Sequence, residues 1–255
     1  MLPQIIYEDK DFLAVNKPAG LLVHSVLKVK SKNPALPADR QKPNDKQLTL
    51  VDWLIKYYPE IKNVGDQPEI RPGIVHRLDK DTSGVMIIAR HQKYFEYLKN
   101  LFKNHQIKKT YLALVWGKLE PKKGIIEKPI RFKRGTMKRT VWEGKNEKPA
   151  ITEYKVKKYF HFNNQEYSLV ELSPKTGRTH QIRVHLAALS HPIVGDSLYG
   201  FKKLNQVFNK SFNLNRLFLH AQSLEFSRED GKRIKLEADL PEELSQIIDT
   251  FRFKR

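Results

Sequence analysis

Two short runs constrain this chain more than any other feature: VMIIA at residues 85–89 and YLALVW at 111–116. As strands, both carry apolar or aromatic side chains on both faces, because alternate residues point to opposite sides. Such a strand belongs inside a sheet that is covered above and below, so VMIIA is expected to be a buried central strand. Both runs are far too short to span a bilayer.

The rest of the chain supplies more strands than helices. Residues 4–16 read as two short strands joined at Asp9 to Asp11, and further strand-like runs fall at 137–142, 149–159, 166–173, 216–226 and 232–238. Helical spacing appears at 48–61, with Leu50, Trp53, Leu54 and Tyr57 on one face. It recurs at 91–104, with Tyr94, Phe95, Leu98, Leu101 and Phe102 as the inner stripe. Residues 179–190 and 241–251 read as two more helices; Pro241 and two glutamates suit the first turn of the last. Helices interspersed among more numerous strands predict an α+β fold with a mixed or largely antiparallel sheet. Residues 27–47, rich in lysine and proline and without a period, read as a mobile insert. No linker separates independent units, so 1–255 is expected to form a single domain.

The chain carries 47 Lys and Arg against 28 Asp and Glu, a formal charge of +19. That is far more than solubility requires, and a standing positive potential attracts polyanions. Nucleic acid is the leading partner and an anionic membrane surface the second. There is no cysteine, which excludes disulfides, thiolate nucleophiles and cysteine-based zinc sites. The N-terminus lacks a basic segment followed by an apolar one, so a soluble intracellular protein is expected.

Several familiar chemistries fail on spacing. Neither a phosphate-binding loop of the G-x-x-x-x-G-K-[ST] type nor a G-x-G-x-x-G fingerprint is present, and Ser83 in DTSGV lacks the nucleophile elbow. His180 and His185 are five apart, not the four that would put two imidazoles on one helix face for zinc. No metal site is expected, although carboxylate-held magnesium stays open. Asp79 and Asp81, in RPGIVHRLDKDTSG, are two apart and would share a face if extended. Paired carboxylates are the minimal equipment for glycosidic-bond chemistry, but a charged turn before a strand would explain them equally well. Thr82 and Ser83 can bond their own backbone, and Arg77 and Lys80 flank the acid and would favour its ionised form. Arg183 lies mid-helix beside Ile182, Leu186 and Leu189; it either snorkels to water or pairs with a buried carboxylate. Tyr111 is either a core tyrosine or a stacking platform for a base.

These segments resemble the RluA-type family of RNA pseudouridine synthases over nearly the whole chain, in order. The resemblance runs through NKPAGLLVH (16–24), RPGIVHRLDKDTSG (71–84), KKTYLALVWG (108–117), GIIEKPIRF (124–132), AITEYKV (150–156), LSPKTGRTHQIRVHL (172–186), HPIVGDSLYG (191–200) and RLFLHAQSLEF (216–226). It implies a pseudouridine synthase fold, a mixed and mostly antiparallel sheet with flanking helices and a central active-site cleft. It also implies isomerisation of uridine in ribosomal or transfer RNA without a cofactor; a cytoplasmic location follows from the absent signal segment, and a monomer is the default expectation.

By the same resemblance, Asp79 matches the essential aspartate and Tyr111 the tyrosine that stacks on uracil and helps remove the C5 proton. Arg183 matches the arginine paired with the aspartate. Arg77 matches an arginine that replaces the flipped base in the RNA stack, and Leu219 an apolar residue at the pocket floor. His76, Leu78 and Thr82 join them as substrate-binding candidates. Basic residues in 128–142 are candidates for phosphate contact, unless that stretch is only a solvated charged hairpin. Because the chain begins almost at its first strand, the S4-type N-terminal RNA-binding domain of many relatives is expected to be absent. A hydrolytic N-glycosylase using Asp79 and Asp81 and a non-catalytic RNA-binding or ribosome-assembly protein are the rival readings.

Overall fold

The computed structural model describes residues 2–25, 48–136 and 138–253. The insert expected at 27–47 lies outside the described residues. One nine-stranded mixed sheet forms the centre, in the order β1 (Gln4–Glu8), β2 (Phe12–Lys17), β3 (Ser83–Ala89), β11 (Leu219–Ser227), β4 (Lys108–Trp116), β10 (Gln165–Pro174), β9 (Ile151–Phe162) and β5 (Lys123–Glu127). A ninth strand, β12 (Arg233–Glu237), pairs with β11. Every pairing is antiparallel except that of β3 with β11. A separate three-stranded sheet comprises β6 (Ile130–Phe132), β7 (Arg139–Thr140) and β8 (Lys145–Lys148). The fold is α+β.

All seven residues of β3 are buried, and its alternation explains why. Val85, Ile87 and Ala89 pack on one side with α2 (Gln92–Lys103), against Tyr94, Phe95, Leu98 and Leu101. Met86 and Ile88 pack on the other with α1 (Leu50–Tyr57), against Leu50, Trp53 and Leu54. Each fully buried side chain of this size contributes about 1.5–3 kcal/mol. Helix α1 opens on a capping box in which Thr49 and Asp52 each accept from the other's backbone N–H. It stops at Tyr57, short of the expected residue 61, because Pro59 drives Tyr58 out of the helical region; a 3-10 turn, Pro59–Asn63, follows. Phe102 is the half-buried edge of the inner stripe of α2, packed against the same cluster as Tyr94 and stacked on His76 with centroids 4.6 Å apart.

The other half of the sheet packs against α4 (Lys202–Phe212) and α5 (Glu242–Phe253), with Trp116, Phe160, Tyr167, Phe208 and Phe251 at its centre. Sequence periodicity did not identify α4, nor β5, β6 and β8. The strand expected at 137–142 shrinks to Arg139–Thr140. YLALVW is fully buried only from Ala113 onward, because Tyr111 and Leu112 emerge at the edge of the core. Among the described residues, no helix is long and apolar enough to cross a membrane.

The two halves meet at Gly84, which sits at φ +120° with Ala221 of β11 directly opposite. A Cβ at Gly84 would collide with the Ala221 carbonyl and amide, neither of which can yield. Gly84→Ala is therefore expected to lower stability by more than about 3 kcal/mol. The urea midpoint measures this; an unchanged midpoint would mean that β3 and β11 do not meet in this register.

Candidate active site

A cleft of about 540 Å³ opens where the loop before β3, strand β4 and the start of β11 face α3 (Gln181–Ala188). Its size falls in the usual range for ligand sites. Among the described residues lining it, Asp79 is the only carboxylate; Arg71, Arg77, Lys103, Lys109, Arg178 and Arg183 supply the cations. A concave wall with one sign of charge concentrates polyanions, and a lone acid within it stands out as chemistry rather than surface.

Asp79 sits in a tight turn closed by a Thr82 N–H to Asp79 C=O bond of 3.2 Å. The turn is anchored from below by Lys17, which is fully buried. Its Nζ donates to the carbonyls of Pro18 (2.8 Å), Leu21 (3.0 Å) and Lys80 (3.0 Å), binding the 17–21 segment to the Asp79 loop. Burial pushes the Lys17 pKa down to about 7, against the pull of Asp81 and Asp79. Three carbonyl partners match the three protons of an ammonium, so the charged form satisfies every bond the site offers. The turn also separates the two acids: Asp81 does not line the cleft, and the groups that sense its charge are Lys17 and Arg216. Asp79 and Asp81 therefore do not form a carboxylate pair. Ser83 does not brace the loop locally, as expected, but meets His220 Nδ1 at 2.8 Å and accepts from Arg216 at 2.9 Å.

The cation beside Asp79 comes from 104 residues away. Arg183 Nη1 donates to Asp79 Oδ2 at 3.1 Å. The sequence neighbour Arg77 is exposed and meets His24 at 3.3 Å instead. Arg183 is fixed by a second acid that sequence reading missed. Its Nε and Nη2 donate to Asp196 Oδ2 and Oδ1 at 2.7 and 2.9 Å, leaving Nη1 for Asp79. Asp196 is buried and also accepts from the N–H groups of Leu198 (2.9 Å) and Tyr199 (3.0 Å). Burial works against both charges. Asp196 and Asp79 nonetheless hold Arg183 above the ordinary arginine range, and Arg183 with the two N–H groups holds Asp196 below the usual carboxylate range. Asn205 of α4 secures the Asp196 loop: its Nδ2 donates to Asp196 C=O at 2.9 Å and its Oδ1 accepts from Gly195 and Trp116.

Helix α3 itself is buried around most of its circumference from Gln181 to Leu186, not along a single stripe. Polar anchors make that possible. Gln181 bonds Thr176, Ile151 and Thr152, while His185 bridges Thr152 and the Lys128 carbonyl. Tyr111, on β4 between Leu172 and Ala221, places its ring in the cleft wall. Burial and the nearby Asp79 charge raise its pKa, so the phenol is protonated.

The remaining expected residues also line the cleft. Leu78, Thr82 and Leu219 are buried where they line it. His76 accepts the Ile87 N–H on Nε2 at 3.0 Å; burial, helped by Lys109, lowers its pKa to about 3. It is a neutral wall, not a cation for phosphate. Sequence reading gave no role to His24, Lys109 or Arg178 and considered His180 only as half of a rejected zinc pair, although each lies within a quoted motif.

Comparison with known proteins accords with this geometry. A family model described as RNA pseudouridylate synthase matches residues 11–188. The "Uncharacterized RNA pseudouridine synthase YlyB" of Bacillus subtilis is 36% identical over 251 residues, covering 97% of this chain and 72% of that protein. The "Ribosomal large subunit pseudouridine synthase D" of Borreliella burgdorferi is 35% identical over 248 residues, covering 97% and 68%. The structure of "Human RNA Pseudouridylate Synthase Domain Containing 4" aligns with a TM-score of 0.69 at 26% identity, covering 98% of this chain and 93% of that one.

Proposed function

The chain belongs to the RNA pseudouridylate synthase family, and from that premise we propose that Asp79, Arg183 and Tyr111 perform its reaction on ribosomal RNA of the large subunit. It is an RNA pseudouridine synthase, an isomerase converting uridine within RNA to pseudouridine. The N1–C1′ bond breaks, the uracil turns in place, C5 bonds to C1′, and a proton is lost from C5 while N1 gains one. Every atom is conserved and no electrons are exchanged, so the reading calls for no cofactor.

The observation that carries the residue assignment is Asp79, the only acid among the described residues of a basic cleft, hydrogen-bonded to an arginine that Asp196 holds charged. An ionised carboxylate is what the sugar or base needs at the moment the glycosidic bond breaks. A base inside a folded RNA must first be flipped out, and an aromatic wall compensates for the stacking it loses. Tyr111 provides that wall, and exposed Arg77 at the rim takes the vacated place in the stack. His76, Leu78, Thr82 and Leu219 shape the uracil site, and the cations of 128–142 meet flanking phosphates.

A ribosomal target is favoured because relatives at 35% identity carry that name, with transfer RNA as the alternative. We take residues 1–255 as one catalytic unit, supported by a sheet continuous from β1 to β5, acting as a cytoplasmic monomer. A hydrolytic glycosylase using two aspartates loses its basis once Asp81 lies away from the cleft.

The direct test is a pseudouridine map: unmodified ribosomal RNA and transfer RNA are treated with the protein, and carbodiimide-dependent reverse-transcription stops are compared. New stops at defined uridines are expected; free uracil in place of stops would reject the isomerase reading. Tyr111→Phe keeps the ring but removes the phenolic oxygen. Turnover is expected to fall roughly 10²-fold with RNA affinity unchanged. An unchanged single-turnover rate would remove the tyrosine from proton transfer.

A further inference from the structure

The reaction as derived leaves one group beside Asp79 without a role. His180 lines the cleft, and its Nε2 lies 3.8 Å from Asp79 Oδ2, too far for a direct hydrogen bond. Its backbone is left-handed, φ 57° and ψ 19°, immediately before α3, where it makes no side-chain cap. A non-glycine residue in that region is uncommon and strained, and such residues gather at functional sites. From that position the imidazole lies between Tyr199 and Asp79, with Nδ1 toward the first and Nε2 toward the second.

The proton on that imidazole follows from its neighbours. Tyr199 OH accepts the backbone N–H of Arg139 at 2.9 Å and lies 2.9 Å from His180 Nδ1. With one lone pair taken by Arg139, the phenol's own proton goes to Nδ1, which assigns the other proton to Nε2. Tyr199 is in turn fixed by its N–H bond to Asp196, by edge contact with the His180 ring at 5.6 Å and by Arg183 over its face at 5.2 Å. Burial keeps the imidazole below its ordinary range; Arg183 and Arg139 add to that, opposing Asp79 and Asp196. His180 is a neutral donor whose Nε2–H is aimed at the space beside Asp79.

We propose that His180, locked by Tyr199 as the Nε2–H tautomer, donates a hydrogen bond to a carbonyl oxygen of the flipped uracil lying against Asp79. This rests on the pseudouridine synthase reading. When N1–C1′ breaks with its electron pair on the base, negative charge spreads over N1 and both carbonyl oxygens. A fixed neutral donor stabilises that charge without adding a second cation beside the carboxylate.

Four variants test this in single-turnover assays on a responsive RNA. His180→Gln keeps an amide donor near the reach of Nε2. His180→Asn keeps a residue tolerant of left-handed backbone but withdraws the donor, and His180→Leu keeps only bulk. Tyr199→Phe releases the tautomer. The expected result is a rate loss of roughly 10²-fold or more in Asn and Leu, less than about 10-fold in Gln and Tyr199→Phe, with RNA affinity within about 3-fold throughout. Rates in Asn and Leu within about 3-fold of the unaltered protein would overturn the role. So would a Gln variant as slow as Leu, or matched losses of affinity and melting temperature, which mark a structural histidine. The unaltered protein, run in parallel, separates the two claims. No pseudouridine from it overturns the enzymatic reading and this role together; pseudouridine from it with unimpaired variants overturns only the role of His180.

Discussion

Asp79→Asn is expected to remove turnover by more than roughly 10³-fold while leaving the fold and RNA affinity nearly intact. The separation of effects follows from the site. The amide has the shape of the carboxyl, and its oxygen can still accept from Arg183 Nη1. Arg183 does not depend on Asp79 for its place, because two of its nitrogens are already held by Asp196. Losing the Asp79 charge also removes the one negative group among the described residues of the cleft wall, so a polyanion should bind at least as well. The carbodiimide map and a filter-binding curve on the same RNA measure both quantities. New stops at the wild-type rate would eliminate Asp79 as the reactive group.

Asp196→Ala should have the opposite signature: a large loss of stability, with activity falling as a consequence. Removing one partner of a buried ion pair leaves its charge uncompensated and costs about 3–5 kcal/mol. Here it also orphans the N–H groups of Leu198 and Tyr199. For a chain of this length that amounts to a fall of about 10 °C in melting temperature. At a temperature where the variant remains folded, Arg183 loses the fork that fixes it, and turnover should drop roughly 10²-fold. Calorimetry and a single-turnover assay check the pair. A melting temperature within about 2 °C of the unaltered protein would show that Asp196 is not the anchor.

The contrast between these two acids marks where the sequence could be read and where it could not. Asp79 stands in a string so specific that its place could be anticipated, and the buried strand after it followed from apolar character on both faces. Arg183 could be suspected because it interrupts an apolar helix. Asp196 carries no comparable signal: it follows a glycine in an ordinary turn, and its importance comes from burial that only the packing of α4 creates. Helix α4 was missed although Leu204, Phe208 and Phe212 recur at four-residue spacing. Its many Lys and Asn residues hid the pattern. The left-handed backbone of His180 could not be read at all, because nothing local demands it. The pairing of Asp79 with Asp81 failed for the converse reason: a two-residue spacing implies a shared face only in an extended strand, and this segment is a turn.

The parallel contact between β3 and β11 has a consequence for the birth of the protein. Asp79, Tyr111 and Arg183 have all been synthesised by residue 183, yet in the sheet β3 and β4 are joined through the strand that begins at Leu219. Until that strand leaves the ribosome and threads between them, the halves that carry the groups proposed to react have no common sheet. Closing so distant a contact is slow, since the loop must lose its freedom before any pairing rewards it. The chain thus passes through much of translation holding every side chain proposed to react and no assembled site, which comes together only once the strand that begins at Leu219 has arrived.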